Sequence, residues 1–199
     1  MDLKILTKGL LLLSLSLSTI APAVAAGAEE AAYVGVGQCR ICHLPHYNSW
    51  DETRMSKAFE LLKPGVRGEA KEKAGLDPQG DYTRVGGCLE CHVTGYGRTG
   101  GFVSLEETPE LAGIQCEMCH GPGSIYSRMM LKKRGTFTPA DYREKGGLVM
   151  PSRENNICVK KCHNEKSPFV YSLDFNFEDR KAMGTHRHDL RYIDLPFDL

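Results

Sequence analysis

The eight cysteines of this 199-residue chain constrain it more than any other feature. They fall in four close pairs, each followed at once by histidine: Cys39-Arg-Ile-Cys42-His43, Cys88-Leu-Glu-Cys91-His92, Cys116-Glu-Met-Cys119-His120 and Cys158-Val-Lys-Lys-Cys162-His163. Three read C-x-x-C-H, and the fourth is one residue longer. Chance would place about 0.01 C-x-x-C-H sequences in a chain of this composition. The spacing has a chemical meaning. Two thiols about one helical turn apart can each add to a vinyl group at a porphyrin edge. The histidine next in sequence then reaches the iron from the proximal side. The longer fourth motif needs a slightly different turn for the same product.

Zinc is the competing reading, because paired C-x-x-C sequences make good tetrahedral half-sites. Zinc gives no reason for a histidine after every second cysteine. Disulfides are the common use of even cysteine counts in exported chains, but haem attachment consumes all eight thiols. The expectation is therefore four covalently bound haem c groups. Cys39, Cys42, Cys88, Cys91, Cys116, Cys119, Cys158 and Cys162 would attach them, with His43, His92, His120 and His163 as proximal iron ligands.

The chain begins with Lys4 and Lys8, an apolar stretch over residues 10–20, and small residues over 21–26 with an A-x-A cleavage signal. This reads as a secretory signal peptide over residues 1–26, leaving residues 27–199 as one tetrahaem domain. The stretch is too short and too serine-rich for a membrane span, so membrane contact is expected only through partners. The expected location is the periplasm, with an extracellular destination as the alternative. Lys and Arg number 25, as do Asp and Glu, which argues against a nucleic-acid partner. The apolar share of 41% includes the leader, so the mature domain is poor in core-forming residues. Four porphyrin plates would supply the missing core. Their propionates would make the loaded protein acidic, so basic patches on redox partners are the expected docking surfaces.

The periodicity predicts a mainly α protein with little strand. Residues 27–37 read as a loose lead-in. Pro45 opens a helix whose stripe of Tyr47, Trp50, Phe59 and Leu62 runs to Lys63. Further helices are expected over residues 65–74, 124–134, 152–162 and 178–183, and one after Thr138-Pro139. Residues 102–105 read as a short strand. The first cysteines of successive motifs lie 49, 28 and 42 residues apart, which excludes a solenoid of equal units.

Beyond the motifs, Trp50, Lys57-Ala58, Leu62-Lys63-Pro64, Glu69-Ala70-Lys71, Leu76-Asp77-Pro78 and Asp81-Tyr82-Thr83 form a distinctive pattern with Cys91-His92-Val93, Gly95, Gly100-Gly101 and Cys119-His120-Gly121-Pro122-Gly123. This stretch resembles the tetrahaem cytochrome c-554 family of ammonia-oxidising bacteria. The match continues after the fourth motif in Ser167-Pro168, Phe175-x-Phe177 and Lys181-Ala182-Met183. The resemblance implies a mainly helical fold around four haems held in stacked pairs. It also implies periplasmic electron transfer, in that family from hydroxylamine oxidation toward membrane acceptors. The physiological donor does not carry over. Expected partners are redox proteins, such as a membrane quinone-linked cytochrome or a periplasmic reductase or oxidase.

Sixth ligands are the open count, since only His46, His186 and His188 remain beside the four proximal histidines. The family has distal histidines five residues after the tryptophan and ten after the third proximal histidine. Here these offsets land on Met55 and Met130. The resemblance implies Met55 opposite His120 and Met130 opposite His43, with Met129 as the rival of Met130. Met/His ligation raises a haem potential, although a helical Met is also common core filler. After Lys181-Ala182-Met183 the family has the distal ligand of its fourth haem, which implies His186, with His188 as alternative, opposite His163. His46 is too close in sequence to His43 to cap the same iron, and would either cap a neighbouring haem or face solvent. The His92 haem inherits no distal ligand and is five-coordinate in the family. The loop flanking its empty side is reduced here to Ser167-Pro168-Phe169.

An electron carrier is the leading functional expectation, with no catalytic residue outside the haems. One alternative is a haem enzyme reducing a small ligand such as nitric oxide at the His92 site. Another is a subunit of an extracellular cytochrome filament that shares haem ligands such as His46 or His188.

Overall fold

Each attachment motif folds as a short helix or the end of one. The computed structural model describes residues 29–132, 136–169 and 175–190. The leader expected over residues 1–26 lies outside them. The described helices are α1 (Val36–Cys42), α2 (Leu44–Asp51), α3 (Gly68–Lys73), α4 (Gly86–His92), α5 (Cys116–His120), α6 (Ser124–Lys132), α7 (Pro139–Glu144), α8 (Ile157–Lys161) and α9 (Phe177–Gly184). Single 3-10 turns occupy Ala58–Leu62 and Pro109–Leu111. Among the described residues there is no strand, only one isolated antiparallel bridge between Val93 and Ala112.

Several boundaries depart from the sequence expectation for local reasons. The helix opened by Pro45 stops at Asp51 rather than Lys63. The Trp50 carbonyl accepts from both the Thr53 N–H and the Thr53 hydroxyl, and the Ser56 hydroxyl donates to Asp51 and Thr53 carbonyls. Such side-chain bonds compete with the helical ladder and end it. The segment over residues 102–105 is not a strand. Ser104 accepts from the N–H groups of Glu106 and Glu107, and Val103 donates to Thr108 Oγ1, so the chain curls on itself. The helix entering the fourth motif begins only at Ile157, because the Asn156 side chain caps the Val159 N–H. α7 forms as expected, with Pro139 in its first turn and Thr138 and Asp141 in a reciprocal capping box.

A compact apolar cluster joins Phe59, Leu62, Leu89, Val93, Phe102 and Leu111 around α4. Nearby, Lys71 is buried with its stem, its Nζ donating to the Lys63 carbonyl at 2.7 Å, and this pins α3 to the same region. By contrast, α1, α6, α7 and α8 contain no buried residue. Helices of this length do not hold in water without packing.

The lead-in is tied down rather than loose. Glu117, between the two cysteines of the third motif, is buried and accepts from the N–H groups of Val34 at 3.0 Å, Gly35 at 2.8 Å and Gly123 at 2.7 Å. Ala32 and Ser124 exchange two further bonds, and Val36 donates to Gln115 Oε1 at 2.9 Å. Gly35 takes φ 78°, a left-handed geometry that suits glycine. The start of α1 is thereby fixed against α5, which sets the first motif beside the third. Glu117→Ala would strand the three N–H groups, at about 1–3 kcal/mol for each buried donor. The loaded protein should lose roughly 3 kcal/mol or more of unfolding stability, and Glu117→Gln should lose distinctly less. Urea unfolding checks this; an alanine variant as stable as the parent would remove Glu117 from its anchoring role.

Candidate haem-binding sites

All eight thiols are half-buried, and no disulfide joins them. Cys39 and Cys42 lie on α1 with His43 as its C-terminal cap residue. The second and third motifs lie wholly within α4 and α5. In the fourth, Cys162 caps α8 and His163 follows.

Two proximal histidines are oriented by backbone. His92 Nδ1 lies 2.6 Å from the Ala58 carbonyl, and His120 Nδ1 lies 2.9 Å from the Val149 carbonyl. A carbonyl only accepts, so each Nδ1 carries the proton and each Nε2 keeps its lone pair for a metal. Neither carbonyl partner has a sequence signal. The Nε2 of His43 faces the Tyr126 hydroxyl at 3.1 Å, another contact that the sequence did not announce. Burial, then the neighbouring His46, His120 and His186, pull His43 down to about 4. Burial also lowers His92 and His120. At neutral pH these rings are uncharged, as a metal ligand must be. The His163 ring packs against Phe175, with centroids 4.5 Å apart.

The expected sixth ligands are distributed unevenly. A groove between α1 and α6 has Cys39, Cys42 and His43 on one wall and Tyr126 and Met130 on the other. Met130 is thus brought together with His43. Its neighbour Met129 instead points at α7's end, where its Sδ lies 3.3 Å from the place a Cβ on Gly146 would take. The methyl of Met55 packs 3.9 Å from the corresponding place on Gly184, at the end of α9. His46 stands edge-on to His43 at 5.9 Å and to His186 at 5.2 Å. His186, expected opposite His163, faces His120 instead: the rings are nearly parallel, at 26°, with centroids 6.3 Å apart. His188 lies 4.6 Å from His186. The remnant Pro168 and Phe169 line a cleft of about 590 Å³ against α3.

Thiols of different motifs also meet. Cys39 lies beside Cys116, and that neighbour together with burial drives the Cys39 thiol well up. Cys162 lies beside Cys91 and draws the Cys91 thiol down to about 7. Burial and the nearby Cys158 and Cys116 push Cys119 up to about 12. The first motif therefore meets the third, the third meets the fourth, and the fourth meets the second.

This donor set fits haem c. Thiols are paired about one helical turn apart, neutral imidazoles are aimed by backbone carbonyls, and short helices await an apolar cover. Among the described residues no three His, Cys, Asp or Glu side chains converge as ligands of a bare metal ion. The fold and sites define a multihaem c-type cytochrome.

Comparison with known proteins gives the family. The family model "Cytochrome c554 and c-prime" matches residues 38–121. The curated cytochrome c-554 of Nitrosomonas europaea is 40% identical over 153 residues, covering 77% of this chain and 57% of that relative's length. The structure of reduced cytochrome c554 from the same organism superposes with a TM-score of 0.64 at 32% identity, covering 80% of this chain and 87% of that one. The chain belongs to the cytochrome c554 family, and its cofactor is haem c.

The His43 shift carries a pH consequence. Its folded value lies below its ordinary 6.5. Between pH 6.5 and about 4 the unfolded chain takes up a proton that the folded chain refuses. That stability is fully present above pH 6.5 and is lost as pH falls through the window. Urea unfolding of the loaded protein should therefore show stability falling as pH drops below 6.5. A stability that stays flat between pH 7 and pH 5 would show His43 to be open to water.

Proposed function

We propose that the chain is a periplasmic electron carrier with four haem c groups in one unbroken series of sites. Haem supplies reversible one-electron chemistry when bound, and the polypeptide supplies attachment, orientation and a dry surround. Cys39 and Cys42 with His43, Cys88 and Cys91 with His92, Cys116 and Cys119 with His120, and Cys158 and Cys162 with His163 hold the four groups. The observation that carries the reading is the meeting of thiols across motifs. Because each sulfur marks a porphyrin edge, the sites follow the order His43, His120, His163, His92 without a gap. Two further contacts support the same order: Lys161 Nζ reaches Met118 Sδ at 4.0 Å, and Cys91 Sγ reaches the Lys161 carbonyl at 3.8 Å.

Met130, sharing a groove with His43, is the proposed sixth ligand there, and thioether ligation would place that end of the series at the higher potential. Export by the leader over residues 1–26 supports the periplasmic location, where haem is attached. Among the described residues no helix is long and apolar enough to cross a membrane. The partners on this reading are redox proteins that offer basic surfaces to the propionate-rich holoprotein.

Intact mass of the exported protein should give the chain from Gly27 plus four haems, and rapid mixing should show electron exchange with a basic cytochrome that slows as salt rises. Free thiols at Cys158 and Cys162 would remove the fourth site, and exchange that salt leaves untouched would remove the acidic docking face. Met130→Ala should abolish a weak far-red ferric band and lower one midpoint potential, whereas Met129→Ala should do neither. If Met130→Ala changes neither property, Met130 is a packing residue.

A further inference from the structure

We propose that His186, in the segment following α9, is the sixth ligand of the third motif's haem, opposite His120. The proposal rests on the haem reading of that motif and deepens it by changing the ligand that the family offset implied, Met55. Two imidazoles bound through Nε2 to one metal, each nitrogen about 2 Å away, set their ring centroids roughly 6 Å apart. The His120 and His186 centroids are 6.3 Å apart and the rings are inclined by only 26°. Both rings are set for Nε2 coordination. His120 Nδ1–H is held by the Val149 carbonyl at 2.9 Å, and His186 Nδ1–H by the Arg187 carbonyl at 2.8 Å. Each Nε2 therefore keeps its lone pair.

The segment is anchored in that position. The Arg187 N–H donates to Ser49 Oγ on α2 at 2.8 Å, and the Arg187 guanidinium pairs with Asp189 at 2.6 Å. The rivals are placed less well. His188 Nε2 lies 3.0 Å from Thr185 Oγ1 and 3.3 Å from the Lys181 carbonyl, so its coordinating nitrogen is turned back to α9. His46 meets the His186 ring edge-on at 79°. Met55 packs its methyl against Gly184, under the turn that carries His186.

The test uses ferric holoprotein, paramagnetic resonance and near-infrared magnetic circular dichroism. The wild type should show a bis-imidazole low-spin iron. His186→Ala should convert one iron in four to high spin, and added imidazole should restore it. His186→Met should turn the same iron into a His/Met site with a stronger far-red band. Met55→Ala and His188→Ala should leave all four irons as they were. Four unchanged irons in His186→Ala, or a new high-spin iron in Met55→Ala, would overturn the assignment while leaving the haem reading intact. A Cys116–Cys119 peptide of bare thiol mass would overturn both together.

Discussion

Short helices that bury nothing of their own cannot stand alone, and this constraint governs the whole molecule. The helices that carry the first and fourth motifs, α1 and α8, have no buried residue, nor have α6 and α7. The one sizeable apolar cluster surrounds α4 and the second motif. Nine-residue and shorter helices gain too few hydrogen bonds to offset nucleation in water. Their cover has to come from the porphyrin faces. Attachment chemistry and folding are then one problem, because the thioethers fix the apolar plates to the helices that need them.

The third motif is where the parts meet. Its inner residue Glu117 gathers the N–H groups of the lead-in, so α1 and the first motif are set against it. Its other inner residue, Met118, lies against Lys161 of the fourth motif. Its Cys116 lies near Cys39 and its Cys119 near Cys158. The positions written x-x in the attachment sequence are therefore tertiary contacts here. A substitution at Glu117 or Met118 would leave the motif formally intact while loosening the order of the sites.

The motifs, the haem c they call for and the helical class could be read from the sequence because each rests on local chemistry: thiol spacing, a following imidazole, an apolar periodicity. The cap at Thr138 and Asp141 was legible for the same reason. The early stop of α2 was not, since Thr53 and Ser56 act by side-chain bonds that a hydrophobic stripe does not record. Nor was the burial of Glu117, which reads as an ordinary charged spacer until the N–H groups of Val34 and Gly35 converge on it. The choice between Met129 and Met130 needed the facing of α6 against α1 and α7. The partner of His186 was illegible for a deeper reason. It is fixed by Arg187 docking on Ser49, 138 residues away in sequence, and no local pattern encodes a contact of that span.

The proposed ligands give neighbouring sites different chemistry on one scaffold. The first and third motifs are held together by Glu117 and by the meeting of Cys39 with Cys116, so their spacing is set by the polypeptide. What differs is the atom opposite the proximal histidine: a thioether from Met130 at one site and an imidazole from His186 at the other. Thioether ligation stabilises the reduced iron relative to imidazole. The His43 site then lies at the higher potential, next to a lower one at His120. On these proposed ligands, direction along the series would be set by the identity of two distal side chains, while the helices, the caps and the Glu117 anchor stay as they are. A scaffold of this kind can be retuned by single substitutions at the distal positions without rebuilding the contacts that hold its sites in order.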